Sequence, residues 1–343
     1  SELVDHPVTT LKSRKTLRNP FINLPKDMFV DRKNSYGPNI EIESEWTPFK
    51  ASVDTFMGAD TTWTAYPIVG GENLETDKVR EVNSPYDHSL NVGKVYWSNT
   101  EIVNKAIDTA DAAFPAWSKT PATDRAACLE RMAELMEENY AELVAICHRE
   151  AGKTIQDSID EVREAVDFCN YYAQQVRQNF AAPKVFTNFQ GKTQQSQLTG
   201  RGVFACISPW NFPLAIFTGQ VVAALAAGNA VVCKAAEQTS LIAFRAVQML
   251  HEAGIPKDVL HFLPGNGATV GAPMTQHKRI AGLAFTGSTG TAQLINRTLA
   301  SRGVAPVPVI AETGGLNAMI VDSTALPEQA VQSIIESAFQ SAG

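Results

Sequence analysis

The stretch "GVFACISPWNFPLAIFTGQVVAALAAGNAVVCKAAE", Gly202 to Glu237, decides the fold. It opens with a run apolar at every position, "GVFACIS", passes a rigid Pro-bounded turn, "PWNFP", and continues into the apolar helical pattern "LAIFTGQVVAALAAG". Gly228-Asn229 ends that helix in the manner of a C-cap, and a second wholly apolar run, "AVVCK", follows at once. Strands that are apolar on both faces and joined by a helix belong to a parallel sheet covered on both sides.

The alternation continues downstream. A helix from Thr239 ended by Gly254, the strand "VLHFLPG", a helix near 268–276, the strand "IAGLAFTG" and a helix at about 288–300 follow in order. The runs "VPVIAE" and "NAMIVD" read as further strands, and a last helix is expected over 326–341. The expected fold is therefore α/β, a doubly wound, mostly parallel, nucleotide-binding type of sheet. In such sheets ligands lie beyond the carboxyl ends of the strands. Four unusual segments fall at those ends: "SPWNFP", "KAAE", "FTGSTG" and "ETGG".

Upstream, Thr100 is placed to cap a helix with Ile102, Ala106, Ala110 and Phe114 on one face. Three- and four-residue steps of apolar side chains predict a second helix over about 122–149 and a third over about 155–180. On that third helix Glu164, Phe168 and Tyr171 share a stripe beside the main apolar one. "VFTNFQGKTQQSQLTGRG", about 185–200, alternates as an exposed hairpin. Residues 1–53, rich in Pro, Asn and charge, read as a linker or wrapping arm, with 54–343 the folded unit.

Composition excludes several classes. Hydrophobic content of 44%, 19% charged residues and a net charge of −7 describe an ordinary globular chain with no general reason to bind nucleic acid. No apolar stretch approaches the ~20 residues that span a bilayer. The N-terminus lacks both an initiating Met and the apolar core of a signal peptide, so a piece of a longer cytoplasmic protein is expected. Cysteines at 128, 147, 169, 206 and 233 form no Cys-x-x-Cys pair and fit reduced thiols; Cys206 and Cys233, inside strand-like runs, read as inert. The histidines show no metal-ligand spacing, so no metal is expected.

Taken singly, the strand-end segments leave two readings open. "FTGSTG" is either a plain turn or a phosphate site at a helix start, where free N–H groups attract an anion. Lys234 and Glu237 are either a surface charge pair or a grip on the vicinal hydroxyls of a ribose. Asn211 is either a turn residue or an amide aimed at an oxyanion. A carboxylate beside an apolar strand end, Glu312 in "VPVIAETGGLN", is costly unless something nearby needs it.

Taken in order, "GVFACISPWNFPL", "AALAAGNAVVCKAAE", "LPGNGATVG", "LAFTGSTG" and "ETGG" resemble the aldehyde dehydrogenase superfamily, from roughly Asp54 to Gly343. "TPATDRAACLERMAELMEENYAELVAICHREAGKTIQDSIDEV" is similar to that family's N-terminal helices. Ala235 and Thr313 stand where the family usually has Pro and Leu. The resemblance implies NAD as cofactor. Ser208, Pro209 and Trp210 would line its cleft, Lys234 and Glu237 hold the adenosine ribose, and Gly267 and Gly271 let a helix approach the adenosine. Thr286, Gly287 and Ser288 would meet the pyrophosphate and nicotinamide side. Asn211 would donate to the oxyanion, and Glu312 would be the general base in a dry cleft.

The family's nucleophilic Cys follows the helix after "ETGG" in a Gly-Gln-x-Cys type of sequence. None of the five cysteines here matches it, which implies a cofactor-binding part without turnover of its own. "EVREAVDFCNYYA" resembles the glutamate γ-semialdehyde (Δ1-pyrroline-5-carboxylate) dehydrogenases, in which Glu164 would hold the substrate ammonium and Phe168 its chain. "LPKDMFVDRKNSYGPNI" is similar to the linker after the FAD-dependent proline dehydrogenase domain of bifunctional proline-catabolic enzymes. That resemblance implies an upstream FAD domain in the parent; the exposed hairpin arm leads to the expectation of a homo-oligomer that contacts through it. Oxidation of another semialdehyde, or a non-catalytic NAD-binding or assembly scaffold, remain the alternatives.

Overall fold

The structure is a computed structural model that describes residues 6–14, 19 and 21–342. At its centre lies a seven-stranded sheet in the spatial order Val309–Thr313, Ile280–Gly287, Val203–Ile207, Ala230–Lys234, Leu260–Phe262, Ile68–Val69 and Glu72–Asn73. The first five pair in parallel, and Ile68–Val69 joins antiparallel through Phe262. Numbered along the chain, the parallel strands run five, four, one, two, three, so the winding reverses between Val203–Ile207 and Ile280–Gly287. A crevice opens at that reversal.

The strands form where the sequence is apolar on both faces. All five residues of Val203–Ile207 and all five of Ala230–Lys234 are buried. Helices Thr100–Lys119 and Ala215–Ala226 pack against this sheet. Gly228 follows the second of them with φ +85°, a conformation that glycine adopts without steric cost, and the chain turns there into Ala230. Helix Ile155–Phe180, as expected from its period, lies on helices Ala122–Glu138 and Ala215–Ala226.

Several expectations need correction. Asn99, not Thr100, caps the helix that begins at Thr100; its side chain accepts from Ile102 N–H at 2.9 Å. The single helix expected over 122–149 is two, Ala122–Glu138 and Tyr140–Ala151. The break falls at Asn139, whose φ −106° and ψ 25° lie outside the helical range; its side-chain amide shares the Leu135 carbonyl, at 2.8 Å, with its own backbone N–H at 3.0 Å. "NAMIVD" forms no strand: residues 317–322 are exposed, and among the described residues nothing lies alongside to pair with them. The strand expected as buried around Val309 is the sheet's edge, and Ile310 is 55% exposed. Within the segment read as a linker or arm, helix Glu43–Asp54 forms; it crosses the expected 53/54 division and buries Val53.

The arm wraps the helical layer. Ser35, fully buried, donates from its N–H and its hydroxyl to the two oxygens of Asp167, at 2.7 and 2.9 Å. The hairpin consists of Lys184–Thr187 and Thr193–Ser196, exposed throughout. The opposite edge of the main sheet is short and pinned: His261, buried in the adjoining strand, accepts from Gly70 N–H at 3.1 Å.

Candidate functional site

A cleft of about 1180 Å³ opens over the carboxyl ends of the parallel strands, at the reversal of the winding. Its floor comes from the residues that end three adjacent strands. Ile207 leads into Ser208, Pro209, Trp210 and Asn211; Lys234 and Glu237 end the next strand; Thr286, Gly287 and Ser288 end the third. Glu312 reaches the same cleft from the edge strand. The parallel register sets Glu312 beside Thr286 and Thr313 beside Gly287. Two helical segments form the walls, Gly267–Gln276 on one side and the face of Thr289–Ala300 carrying Thr291, Leu294 and Thr298 on the other.

Local chemistry explains each wall. Ser288 caps its helix by accepting from Thr291 N–H at 3.2 Å, which leaves the first-turn amides and the positive end of the helix dipole at the cleft. Asn266 caps the other segment, accepting from Thr269 N–H at 2.8 Å. A Cβ added at Gly267 would meet no atom within 4 Å, and one at Gly271 only Lys234 Cδ at 3.9 Å. The space those glycines leave is open cleft, which suits close approach of a ligand to the backbone.

Lys234 is 6% exposed and its ammonium donates to the Ala235 carbonyl at 3.0 Å. Burial lowers its pKa to about 8, with the Glu237 carboxylate opposing. The Ser208 hydroxyl is buried without a hydrogen-bond partner. A buried ammonium, an unsatisfied hydroxyl, a free helix start and two glycine gaps together fit a long ligand with hydroxyls and phosphates. Among the described residues no group of three His, Cys, Asp or Glu lies close enough to hold a metal ion.

Two expectations change here. Glu312 lines the cleft but is exposed, because its strand forms the uncovered sheet edge, so the carboxylate does not sit in a dry site. Glu164 and Phe168 do not line the cleft. They lie on helix Ile155–Phe180. Phe168 abuts Gly219 and stacks on Tyr172 at 6.1 Å, whereas Tyr171 faces the arm, with the Arg32 guanidinium 5.7 Å from its ring. The expected single stripe is therefore split. Glu164 is exposed as a residue, yet partial desolvation, reinforced by the Glu161 charge, raises its pKa, while Lys153 opposes.

Sequence reasoning missed two buried carboxylates that hold the site's supports. Glu150 accepts from Leu241 and Ile242 N–H at 2.7 and 2.9 Å, and burial pushes it up to about 8. Glu161 accepts from Leu214 and Ala215 N–H at 3.1 and 2.9 Å and lies 2.9 Å from the Lys153 ammonium. The available signal was the position of Glu161, in phase with Ser158, Val162 and Ala165 on the buried face. Cys206 is pushed up to about 12 and Cys147, Cys169 and Cys233 also upward by burial, so these thiols are poor nucleophiles.

Comparison with known proteins agrees with this geometry. The profile of the aldehyde dehydrogenase family matches residues 73–343. The bifunctional protein PutA of Escherichia coli is 44% identical over all of this chain, which covers 26% of that protein. The 1-pyrroline-5-carboxylate dehydrogenase of Anoxybacillus flavithermus is 39% identical over 85% of this chain and 56% of its own length. Among solved structures, a proline utilization A variant from Bradyrhizobium japonicum superposes with a TM-score of 0.81 at 43% identity, covering 94% of this chain and 30% of that one. A 1-pyrroline-5-carboxylate dehydrogenase variant from Thermus thermophilus gives 0.81 at 31% identity, covering 94% and 61%. The chain thus spans about a quarter of the bifunctional relative and just over half of the single-function one. With the family's ordered segments gathered at one crevice, the chain belongs to the aldehyde dehydrogenase family.

Proposed function

We propose that this chain is the NAD-binding part of a dehydrogenase that oxidises L-glutamate γ-semialdehyde, the open form of Δ1-pyrroline-5-carboxylate, to glutamate. One observation carries the reading: residues from four strand ends, far apart in sequence, line a single cleft that also holds Asn211 and Glu312. Lys234 and Glu237 hold the ribose hydroxyls, the amides after Ser288 receive the pyrophosphate, and Gly267 and Gly271 admit the adenosine. Bound NAD supplies an acceptor for the aldehyde hydrogen as hydride.

The chain's own residues bind, orient and move protons. The Asn211 amide donates to the oxygen that gains charge when a thiolate adds to the aldehyde carbon. Glu312 accepts a proton from the thiol or from the water that cleaves the thioester. Glu164, one turn beyond Glu161, holds the substrate ammonium, and Phe168 packs along its chain. The thiolate comes from a Cys outside this chain, since none here sits at the cleft. The exposed hairpin Lys184–Ser196 is the contact to a second copy, and the parent joins this unit to an FAD-dependent proline dehydrogenase in the cytoplasm.

The test has two arms. Titration of this chain with NAD should quench the emission of Trp210, half-exposed at the cleft. Steady-state assays of the parent should show preference for glutamate γ-semialdehyde over succinate semialdehyde, lost in Glu164→Ala. Equal use of both aldehydes by the unaltered parent would overturn the substrate assignment, and absence of NAD binding would overturn the cofactor assignment.

A further inference from the structure

The Lys153 ammonium, 2% exposed, sits in none of the positions expected for cofactor or substrate. It donates to the backbone carbonyl of Asn211 at 2.8 Å and to the Ser341 hydroxyl at 2.9 Å, lies 2.9 Å from Glu161 Oε1, and rests 4.3 Å from the Phe212 ring centre. Glu161, fully buried, takes the N–H groups of Leu214 and Ala215 on its other oxygen. A single buried ion pair from another part of the fold therefore fastens both ends of the turn that carries Asn211: its carbonyl on one side and the start of the next helix on the other. The turn needs this, because its two prolines donate no backbone hydrogen bonds and it belongs to neither strand nor helix.

We propose that Lys153 and Glu161 are positioning residues that set where the Asn211 amide points, and that Lys153 registers the segment at Ser341 against it. The chemistry fits that duty better than it fits stability. Burying an ion pair gives little net stabilisation over an apolar pair of the same shape, so stability alone does not account for it. An ammonium offers three protons, and here they face a turn carbonyl, a carboxylate and a hydroxyl from three separate segments. Ser341 adopts φ +57°, the left-handed region, so this contact holds an otherwise unfavourable backbone.

The inference rests on the role proposed above for Asn211, and the experiment separates the two. In the parent enzyme, Lys153→Met should lower kcat by about 100-fold, the effect of a misdirected catalytic group, with KM for NAD changed less than about twofold. It should also lower Tm, because Glu161 is left buried and unpaired. The double variant Lys153→Met with Glu161→Gln removes that charge and should recover Tm while kcat stays low. Recovery of kcat along with Tm, or an unchanged kcat in Lys153→Met, would show the pair to be merely structural. Hydrogen exchange on the present chain reads the clamp without catalysis: the Leu214 and Ala215 amides, whose acceptor is Glu161, should exchange faster in Glu161→Leu, and unchanged protection would overturn the clamp. A parent that oxidises no aldehyde would defeat the proposed function alone, leaving the clamp to the exchange result.

Discussion

Lys234 offers a test in which one proton acts in opposite directions. Its ammonium is buried at the cleft floor and burial lowers its pKa to about 8. If the charged form grips the ribose, NAD binds the protonated chain, so the apparent Kd is nearly flat at pH 7. It should weaken about tenfold by pH 9, one pH unit above the pKa. Folding has the other sign. The unfolded chain holds this proton up to about 10.5 and the folded chain releases it near 8, so the unfolded state binds more protons in between. Stability therefore rises from pH 8 towards 10.5, by roughly 3 kcal/mol if this group acts alone. Calorimetric titration with NAD and urea melts over pH 7–10, on the native chain and on Lys234→Met, read both effects. Subtracting the variant removes the other titrating groups. A Kd independent of pH up to 9.5, or a pH slope retained in Lys234→Met, would refute the assigned grip.

Glu237→Gln should narrow the preference for NAD over NADP. A carboxylate facing a 2′-phosphate costs on the order of 2 kcal/mol at a solvated rim, so the selectivity ratio should fall roughly 30-fold in paired titrations. Gly271→Ala should weaken NAD binding by roughly threefold or more if the adenosine lies against this backbone; Tm should stay within a few degrees because the added Cβ meets only Lys234 Cδ, at 3.9 Å. With an excess of an aromatic disulfide reagent, native protein should label at Cys128 alone, the half-buried thiol, and slowly because desolvation and Asp124 raise its pKa. Rapid labelling of Cys206 or Cys233, followed by peptide mass analysis, would contradict the buried strands.

The sheet and the strand-end cleft were legible because their determinants are local. Each strand is an apolar run stopped by a turn, and each cleft residue lies at the stop, so the order of the segments along the chain already places Lys234, Thr286 and Glu312 at one end of one sheet. The supports were not legible, because their partners are distant. Glu161 meets Leu214 and Glu150 meets Leu241, and nothing local in sequence announces such pairings. "NAMIVD" shows the reverse failure. Its pattern is that of a strand, but a strand exists only with a neighbour, and none is supplied among the described residues. Asn139 shows a smaller one, where one residue outside the helical φ/ψ range interrupts an otherwise unbroken period.

The two margins of the main sheet are unlike. At Glu72–Asn73 the ladder dwindles to two residues, tethered inward through Gly70 and His261. At Val309–Thr313 a full-length row of amides and carbonyls faces outward, uncovered. Growth of this sheet is consequently one-directional: a polypeptide recruited by backbone pairing joins on the Glu312 flank, where it shields that carboxylate from water. Completion of the sheet and desolvation of the Glu312 carboxylate are then a single event.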